Sequence, residues 1–285
     1  MTDQQFQWNA PAKVNLSLKV LGKRDDGFHA LESLMVPLDL ADTLSFEKAS
    51  EFRLICHAPG VPVDESNLVT KAVRLFQQAT GKPAAWQVTL EKRVPHGAGL
   101  GGGSSDAATA MLALNHLEKA GFTVAEMAGM LASIGSDIPF FVYQQACRIG
   151  GRGEVVEPVG TVDRAKLKGI SILLLKPQFG VDTPDAYRRW ADAQELPGVN
   201  YRAQVLPWGE IVNDLEKPVF QKYRFLAEMK GWLSAQPEVA AAMMSGSGST
   251  MMAFLKEEGG EAAALLDRAR SHLDPTLWGC KVEVQ

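Results

Sequence analysis

Positions 97–103 of this chain hold five glycines, in the stretch Pro95-His-Gly-Ala-Gly-Leu-Gly-Gly-Gly-Ser-Ser-Asp106. Such a run cannot continue a regular strand, because each glycine loses more backbone freedom on ordering than any other residue and offers no side chain to pack. Directly after it, Ala107, Ala110, Met111, Leu114 and Leu117 recur three or four apart, which predicts one apolar stripe on a helix over 104–120. A glycine loop that feeds a helix N-terminus is built for an anion. Without Cβ atoms its backbone N–H groups can close on phosphate oxygens, and the helix adds unpaired donors and the positive end of its dipole. Ser104 and Ser105 supply hydroxyls at the same place. A serine-capped turn alone would need fewer glycines.

The known phosphate loops fit poorly. Gly97-x-Gly99-x-x-Gly102 matches the dinucleotide fingerprint, but residues 91–96 separate it from the preceding strand. The acidic residue expected about 20 positions on would fall near Glu118, inside the helix. No Gly-x-x-x-x-Gly-Lys-Ser/Thr sequence is present, and the protein-kinase signature set is missing.

The 285 residues, 46% of them hydrophobic, suffice for a sizeable core and by length suggest two domains. With 29 basic against 33 acidic residues, the net charge of -4 gives no footprint for nucleic acid or an anionic membrane, so a phosphate site must be built locally. Cys56, Cys147 and Cys280 are far apart and odd in number, which fits reduced thiols. No run of about 18 apolar residues occurs. The expectation is a cytoplasmic protein, monomer or weak homodimer, with a small-molecule substrate and neither nucleic-acid nor membrane partners.

Alternation predicts strands over 13–20, 34–40, 53–56 and 86–90, with a helix over 67–80. Thr123 and Glu126 form a capping box for a further helix that Gly135 closes. Turn and strand follow over 150–160, then a polar connector over 161–168. Beyond it come a strand over 169–175, a helix opened by Thr183 and Pro184, a helix over 220–235, a strand over 250–255, a helix over 258–272 and a strand over 279–284. This is an α+β pattern, and the domain boundary is expected near Gly160.

Four other segments carry polar groups in suggestive places. Pro11-Ala-Lys-Val-Asn-Leu16 puts Lys13 and Asn15 on one strand face. Asp25-Asp-Gly-Phe-His29 reads as a hairpin tip ending in an aromatic and a histidine. In Gly135-Ser-Asp-Ile-Pro-Phe140, Asp137 taken alone is a helix N-cap. Met244-Ser-Gly-Ser-Gly-Ser-Thr250 is a second glycine turn, leading into a strand.

In this order, these segments and the loop at 95–106 resemble the GHMP superfamily of metabolite kinases over nearly the whole chain. Within it they resemble the branch acting on a cytidine diphosphate derivative of methylerythritol, in the non-mevalonate isoprenoid pathway. The Pro-Gly and Gly-Arg-Thr-Glu openings of mevalonate and galactose kinases are missing. The runner-up is another kinase of the superfamily, acting on a sugar or an isoprenoid alcohol.

The resemblance implies a nucleotide-binding N-terminal domain, 1–160, a ferredoxin-like C-terminal domain, 161–285, and an active site in the cleft between them. It implies ATP and Mg2+ as cofactors, Asp137 as the base and Lys13 as its electrostatic partner. It gives the triphosphate to Pro95, Gly97, Gly99, Leu100, Gly101, Gly102, Gly103, Ser104 and Ser105, and sets Asn67 and Lys92 near the adenine and ribose. Asn15 would orient the acceptor. Phe28 and Tyr187 would stack on its cytosine, with His29 reading the base edge and Thr183 alongside. Phe28 stands where the family commonly has tyrosine. Asp106 is expected to serve the first turn of the helix, and Gly246 and Gly248 to close the cleft.

Overall fold

The computed structural model describes residues 5–256 and 262–285. Two long strands, β1 (Phe6–Lys23) and β2 (His29–Lys48), form an antiparallel hairpin whose tip is the expected turn. There Gly27 adopts φ 84°, open to glycine at no steric cost, and the Phe28 N–H donates to Asp26 Oδ1 at 3.1 Å.

The first half continues with β3 (Arg53–Cys56), α1 (Leu68–Thr80), β4 (Trp86–Glu91), α2 (Gly102–Leu117), α3 (Val124–Leu131), α4 (Ile138–Tyr143), β5 (Cys147–Gly150) and β6 (Val155–Pro158). The second half holds α5 (Thr161–Leu167), β7 (Ser171–Lys176), α6 (Thr183–Arg189), β8 (Gln204–Leu206), β9 (Gly209–Asn213), α7 (Glu216–Lys222) and α8 (Arg224–Ser234). It ends with β10 (Val239–Met244), β11 (Met251–Leu255), α9 (Ala262–His272) and β12 (Trp278–Glu283).

One sheet runs β3-β4-β2-β1-β9-β8, with β5 and β6 branching from β2. The other runs β10-β11-β7-β12, entirely antiparallel, which is the ferredoxin-like order. Alternation along β1 and β2 serves both faces of the first sheet. Leu44 and Phe46, with Trp86 and Val88 of β4, bury against α1 to α4. Val14, Leu16, Val36 and Leu38 face the other way and pack on Ile172, Leu174, Met243, Met252 and Phe254 of the second sheet. The far side of that sheet is covered by α7, α8 and α9. The molecule is therefore layered helix, sheet, sheet, helix, and each layer buries apolar surface at about 25 cal/mol per Å².

Several expectations change. The glycine-rich helix begins at Gly102, two residues before Ser104, so the last two glycines of the loop belong to its first turn. Its burial exceeds one stripe, since Ala108 and Ala113 are as buried as Ala107 and Ala110; α2 lies between the sheet, α1 and α4. The connector at 161–168 is mostly helix α5. The helix expected over 220–235 is two helices, broken where Tyr223 leaves helical dihedrals. The hairpin β8–β9, unforeseen, crosses from the second half to pair with β1 in parallel, Ser17 with Val212 and Leu18 with Asn213. The first residues of the helix expected from 258 lie outside the described residues, and α9 is described from Ala262. No helix of the described residues is long and apolar enough to cross a membrane, and Cys56, Cys147 and Cys280 are free thiols.

Candidate active site

Strand β1 is irregular where it carries polar side chains. Its pairing with β2 shifts between Pro11 and Lys13 and again between Asn15 and Ser17, and such bulges re-aim side chains. The freed Lys13 N–H donates to Leu100 O at 2.9 Å, tying the strand to the glycine loop. Lys13 and Asn15 do share a face: the ammonium donates to Asn15 Oδ1 at 2.9 Å, and Asn15 Nδ2 donates to Ser33 Oγ at 2.7 Å. Lys13 is 4% exposed. Its Nζ lies 3.7 Å from Asp137 Oδ2.

Asp137 stands at the N-cap position of α4, yet its side chain makes no capping hydrogen bond. Pro139 within the first turn needs no N–H partner there, so the helix starts without the carboxylate. That leaves the carboxylate facing Lys13.

The glycine loop reaches this pair through Gly99 and Gly101, at φ 75° and 71°. A Cβ on Gly101 would lie 2.6 Å from Phe141 Cζ and 3.0 Å from Lys13 Cγ, so the loop can pass only as glycine. From the second half, the turn at Gly246 and Gly248 meets it: a Cβ on Gly99 would lie 2.8 Å from Gly248 O. Thr250 Oγ1 donates to Ala98 O at 2.7 Å. Leu100 is buried, Pro95 and Ser104 are half-buried, and Gly97 and Gly103 are exposed.

Asn67 and Lys92 spend their side chains elsewhere. Asn67 Oδ1 accepts from Val69 N–H as the N-cap of α1, and its amide donates to Pro62 O. Lys92 Nζ donates to Asp106 Oδ2 at 2.7 Å and also to Asp42 Oδ2. Each keeps a spare N–H, the third of the Lys92 ammonium and the second of the Asn67 amide, so a nucleotide contact at either would be made beside these bonds. Asp106, expected to serve the helix, is 2% exposed and bound to Lys92 instead. Burial, only partly offset by Lys92, pushes its carboxyl up to about 7. Burial works against the Lys92 ammonium, but Asp106 and Asp42 more than reverse it and raise its pKa.

Two buried oxygens near the start of α2, Ser105 Oγ and Asp106 Oδ1, have no hydrogen-bond partner. A hydroxyl and a carboxylate oxygen beside a phosphate loop suit Mg2+. Among the described residues no three His, Cys, Asp or Glu side chains cluster as a metal cage, so a cation would depend on the phosphates for its other oxygens.

On the other side of Asp137 lie the aromatic residues. His29 stacks on Tyr187, with centroids 5.5 Å apart and planes at 29°, and meets Trp190 edge-on. Burial, then the charge of Asp137, raises the Tyr187 phenol above its usual range. Phe28 is 53% exposed at the rim, with the Arg152 guanidinium 4.8 Å above its ring. Thr183 Oγ1 and Ser247 Oγ are 2.6 Å apart, joining α6 to the second glycine turn. Lys13, Asn15, Phe28, His29, Gly99, Gly101, Asp137, Thr183, Tyr187 and Gly246 line one cavity of about 560 Å³. Pro95, Gly97, Leu100, Gly102, Gly103, Ser104 and Ser105 do not line it, and neither do Asn67 and Lys92. Ser33, Arg152 and Ser247 also line the cavity and were not anticipated. Arg152 stands between two glycines and Ser247 between Gly246 and Gly248 of the second glycine turn, whereas Ser33 left no cue.

Residues 67–145 match the family model for the GHMP kinases N terminal domain, and 202–274 that for GHMP kinases C terminal. A 4-diphosphocytidyl-2-C-methyl-D-erythritol kinase of Methylacidiphilum infernorum is 36% identical, over 94% of this chain and 93% of its own length. One from Pseudomonas syringae pv. syringae is 36% identical over 93% and 92%. The chain belongs to the 4-diphosphocytidyl-2-C-methyl-D-erythritol kinase family of the GHMP kinases. It is an ATP-dependent kinase. A crystal structure of 4-(cytidine 5'-diphospho)-2C-methyl-D-erythritol kinase, 32% identical, superposes with TM-score 0.77 over 98% of this chain and 100% of that one. The mevalonate kinase of Methanococcus jannaschii, at 11% identity and TM-score 0.66, shares the fold alone.

Proposed function

We propose that this kinase moves the γ-phosphoryl group of ATP to the 2-hydroxyl of 4-diphosphocytidyl-2-C-methyl-D-erythritol, with Asp137 as general base. The carrying observation is the Lys13–Asp137 pair, 3.7 Å apart, standing in one cavity between the glycine loop and the His29–Tyr187 stack. The catalytic cleft lies between a nucleotide domain up to residue 160 and a second domain from 161, whose β8–β9 hairpin completes the first domain's sheet.

Phosphoryl transfer needs the acceptor oxygen in line with the γ-phosphorus, neutralised oxygens and a place for the proton. Asp137 takes the hydroxyl proton as the oxygen attacks phosphorus and ADP leaves. Lys13, held by Asn15, keeps positive charge at the reacting centre, and Asn15 with Ser33 fixes where that ammonium points. Backbone N–H groups from Gly97 to Ser104 hold the triphosphate at the α2 N-terminus, while Ser105 N–H donates to Gly101 O within the helix. Bound Mg2+ supplies further neutralisation of the phosphates, and Ser105 and Asp106 would hold it.

For the acceptor, Phe28 offers a stacking face and His29 the polar edge that distinguishes cytosine from uracil. Because His29 already lies on the Tyr187 ring, Tyr187 acts chiefly by holding His29. Stacking is worth about 1 to 3 kcal/mol per base and tolerates any base, so Phe28→Ala should lower kcat/KM for cytidyl and uridyl acceptors alike. Loss confined to the cytidyl acceptor would give Phe28 the reading role instead. The reaction itself is tested by coupled ADP release against the cytidyl acceptor, mevalonate, galactose and homoserine. Turnover is expected with the cytidyl acceptor alone, and strong activity on mevalonate would overturn the assignment.

A further inference from the structure

A loop that binds phosphate through glycine backbone has little stiffness of its own, since each glycine widens the conformations open to it. Residues 95–101 therefore need their two ends fixed from outside, and one buried cluster touches both. Asp42, at 0% exposure in β2, accepts at Oδ1 from the N–H groups of Arg93 at 2.5 Å and Val94 at 2.8 Å, the last residues before the loop. Its Oδ2 accepts from Lys92 Nζ, which reaches across to Asp106 Oδ2 at 2.7 Å, just past the first turn of α2. The same ammonium lies 3.2 Å from where a Cβ on Gly102 would stand, at the start of that helix. The cluster holds two carboxylates and one ammonium, all with side chains at most 9% exposed.

Stability alone is a weak reason for such a cluster, because well-packed apolar residues commonly do as well as a buried ion pair. Its bonds run instead to the two ends of one functional loop.

We propose that Asp42, acting through Lys92 and Asp106, is the positioning residue of the phosphate loop, a buried tie that fixes the loop's two ends relative to each other and so sets the bound triphosphate. This rests on the reading of residues 95–105 as the nucleotide site.

The test is Asp42→Asn. The amide keeps the volume and an oxygen for the Arg93 and Val94 N–H groups, but turns a donor towards Lys92. The remaining Lys92–Asp106 pair is balanced in charge, so no lone ion is left buried. ATP binding to the full chain is measured by calorimetry with and without Mg2+, beside steady-state kinetics and a melting curve. A shift of about 1 Å in a positioned group can cost a hundredfold, so ATP affinity should fall at least about tenfold in both conditions, while KM for the acceptor stays within about twofold. A variant that melts lower but binds ATP like the parent would make the cluster purely structural and overturn the proposal. A parent that fails to bind ATP would instead remove the nucleotide reading beneath it. Should Asp42→Asn not fold, Lys92→Arg keeps both carboxylates paired but alters their spacing, and unchanged ATP affinity there would equally overturn the tie.

Discussion

Asp137→Asn should lower kcat about 10²- to 10⁴-fold and leave ATP binding intact, since a positioned base contributes about that much. The variant is informative because, apart from facing Lys13, the side chain has no structural task. It makes no capping hydrogen bond to α4, so the amide costs the helix nothing, and at 41% side-chain exposure it can be accommodated without repacking. The proton acceptor is lost, and with it the negative charge facing the Lys13 ammonium, so a melting curve is read beside the rate. Lys13→Met should depress kcat as well, but it also removes the donor that Asn15 Oδ1 uses, so its melting temperature must be read beside its rate. Steady-state kinetics with saturating ATP and acceptor, together with calorimetric ATP binding, check both. A near-normal kcat for Asp137→Asn would remove it as the base and leave Lys13 with Asn15 as the polar centre of the cavity.

What the sequence made legible follows from where each signal lies. The glycine loop could be read because five glycines in seven positions leave the chain almost no regular structure to adopt. The Thr123–Glu126 capping box was legible too, because both partners lie within one turn, and the reciprocal bonds are there at 2.8 and 3.3 Å. Asp137 was different: locally it reads as a cap, and only the resemblance separated a base from a cap. The absence of a capping bond is visible in three dimensions alone. Asp42 left no trace, because its partners are residues 92–94, some fifty positions along the chain, and a carboxylate in a strand ordinarily reads as solvated. The β8–β9 hairpin was illegible for a related reason. Its strands are three and five residues long, and its parallel pairing joins Ser17 to Val212, so tertiary contacts and not local periodicity decide it.

The contact between the two glycine turns sets the last expectation. Gly99→Ala should reduce kcat/KM about a hundredfold, and Gly97→Ala far less. Both glycines have positive φ, 75° and 63°, so an alanine at either meets a similar backbone penalty of about 1 to 2 kcal/mol. Their surroundings differ. Around a Cβ on Gly97 nothing lies within 4 Å, whereas one on Gly99 would meet Gly248 O at 2.8 Å and Ser245 O at 3.0 Å. Those carbonyls cannot easily retreat. Gly248 N–H donates to Ser245 O at 2.9 Å, Asn213 Nδ2 donates to Met244 O at 2.7 Å and Gly246 O at 2.8 Å, and Glu216 Oε1 accepts from Met244 N–H at 2.9 Å. Behind them, Glu216 is buried against Lys230 at 2.5 Å. The added methyl must therefore push the phosphate loop away from the second turn. Since Gly99 and Gly246 both line the cavity with Lys13 and Asp137, the displacement reaches the reacting centre directly. Kinetics of the two variants, compared at matched thermal stability, isolate the contact from the dihedral penalty. Equal losses in both would mean that backbone strain alone matters and that the approach of the two turns does not contribute to catalysis.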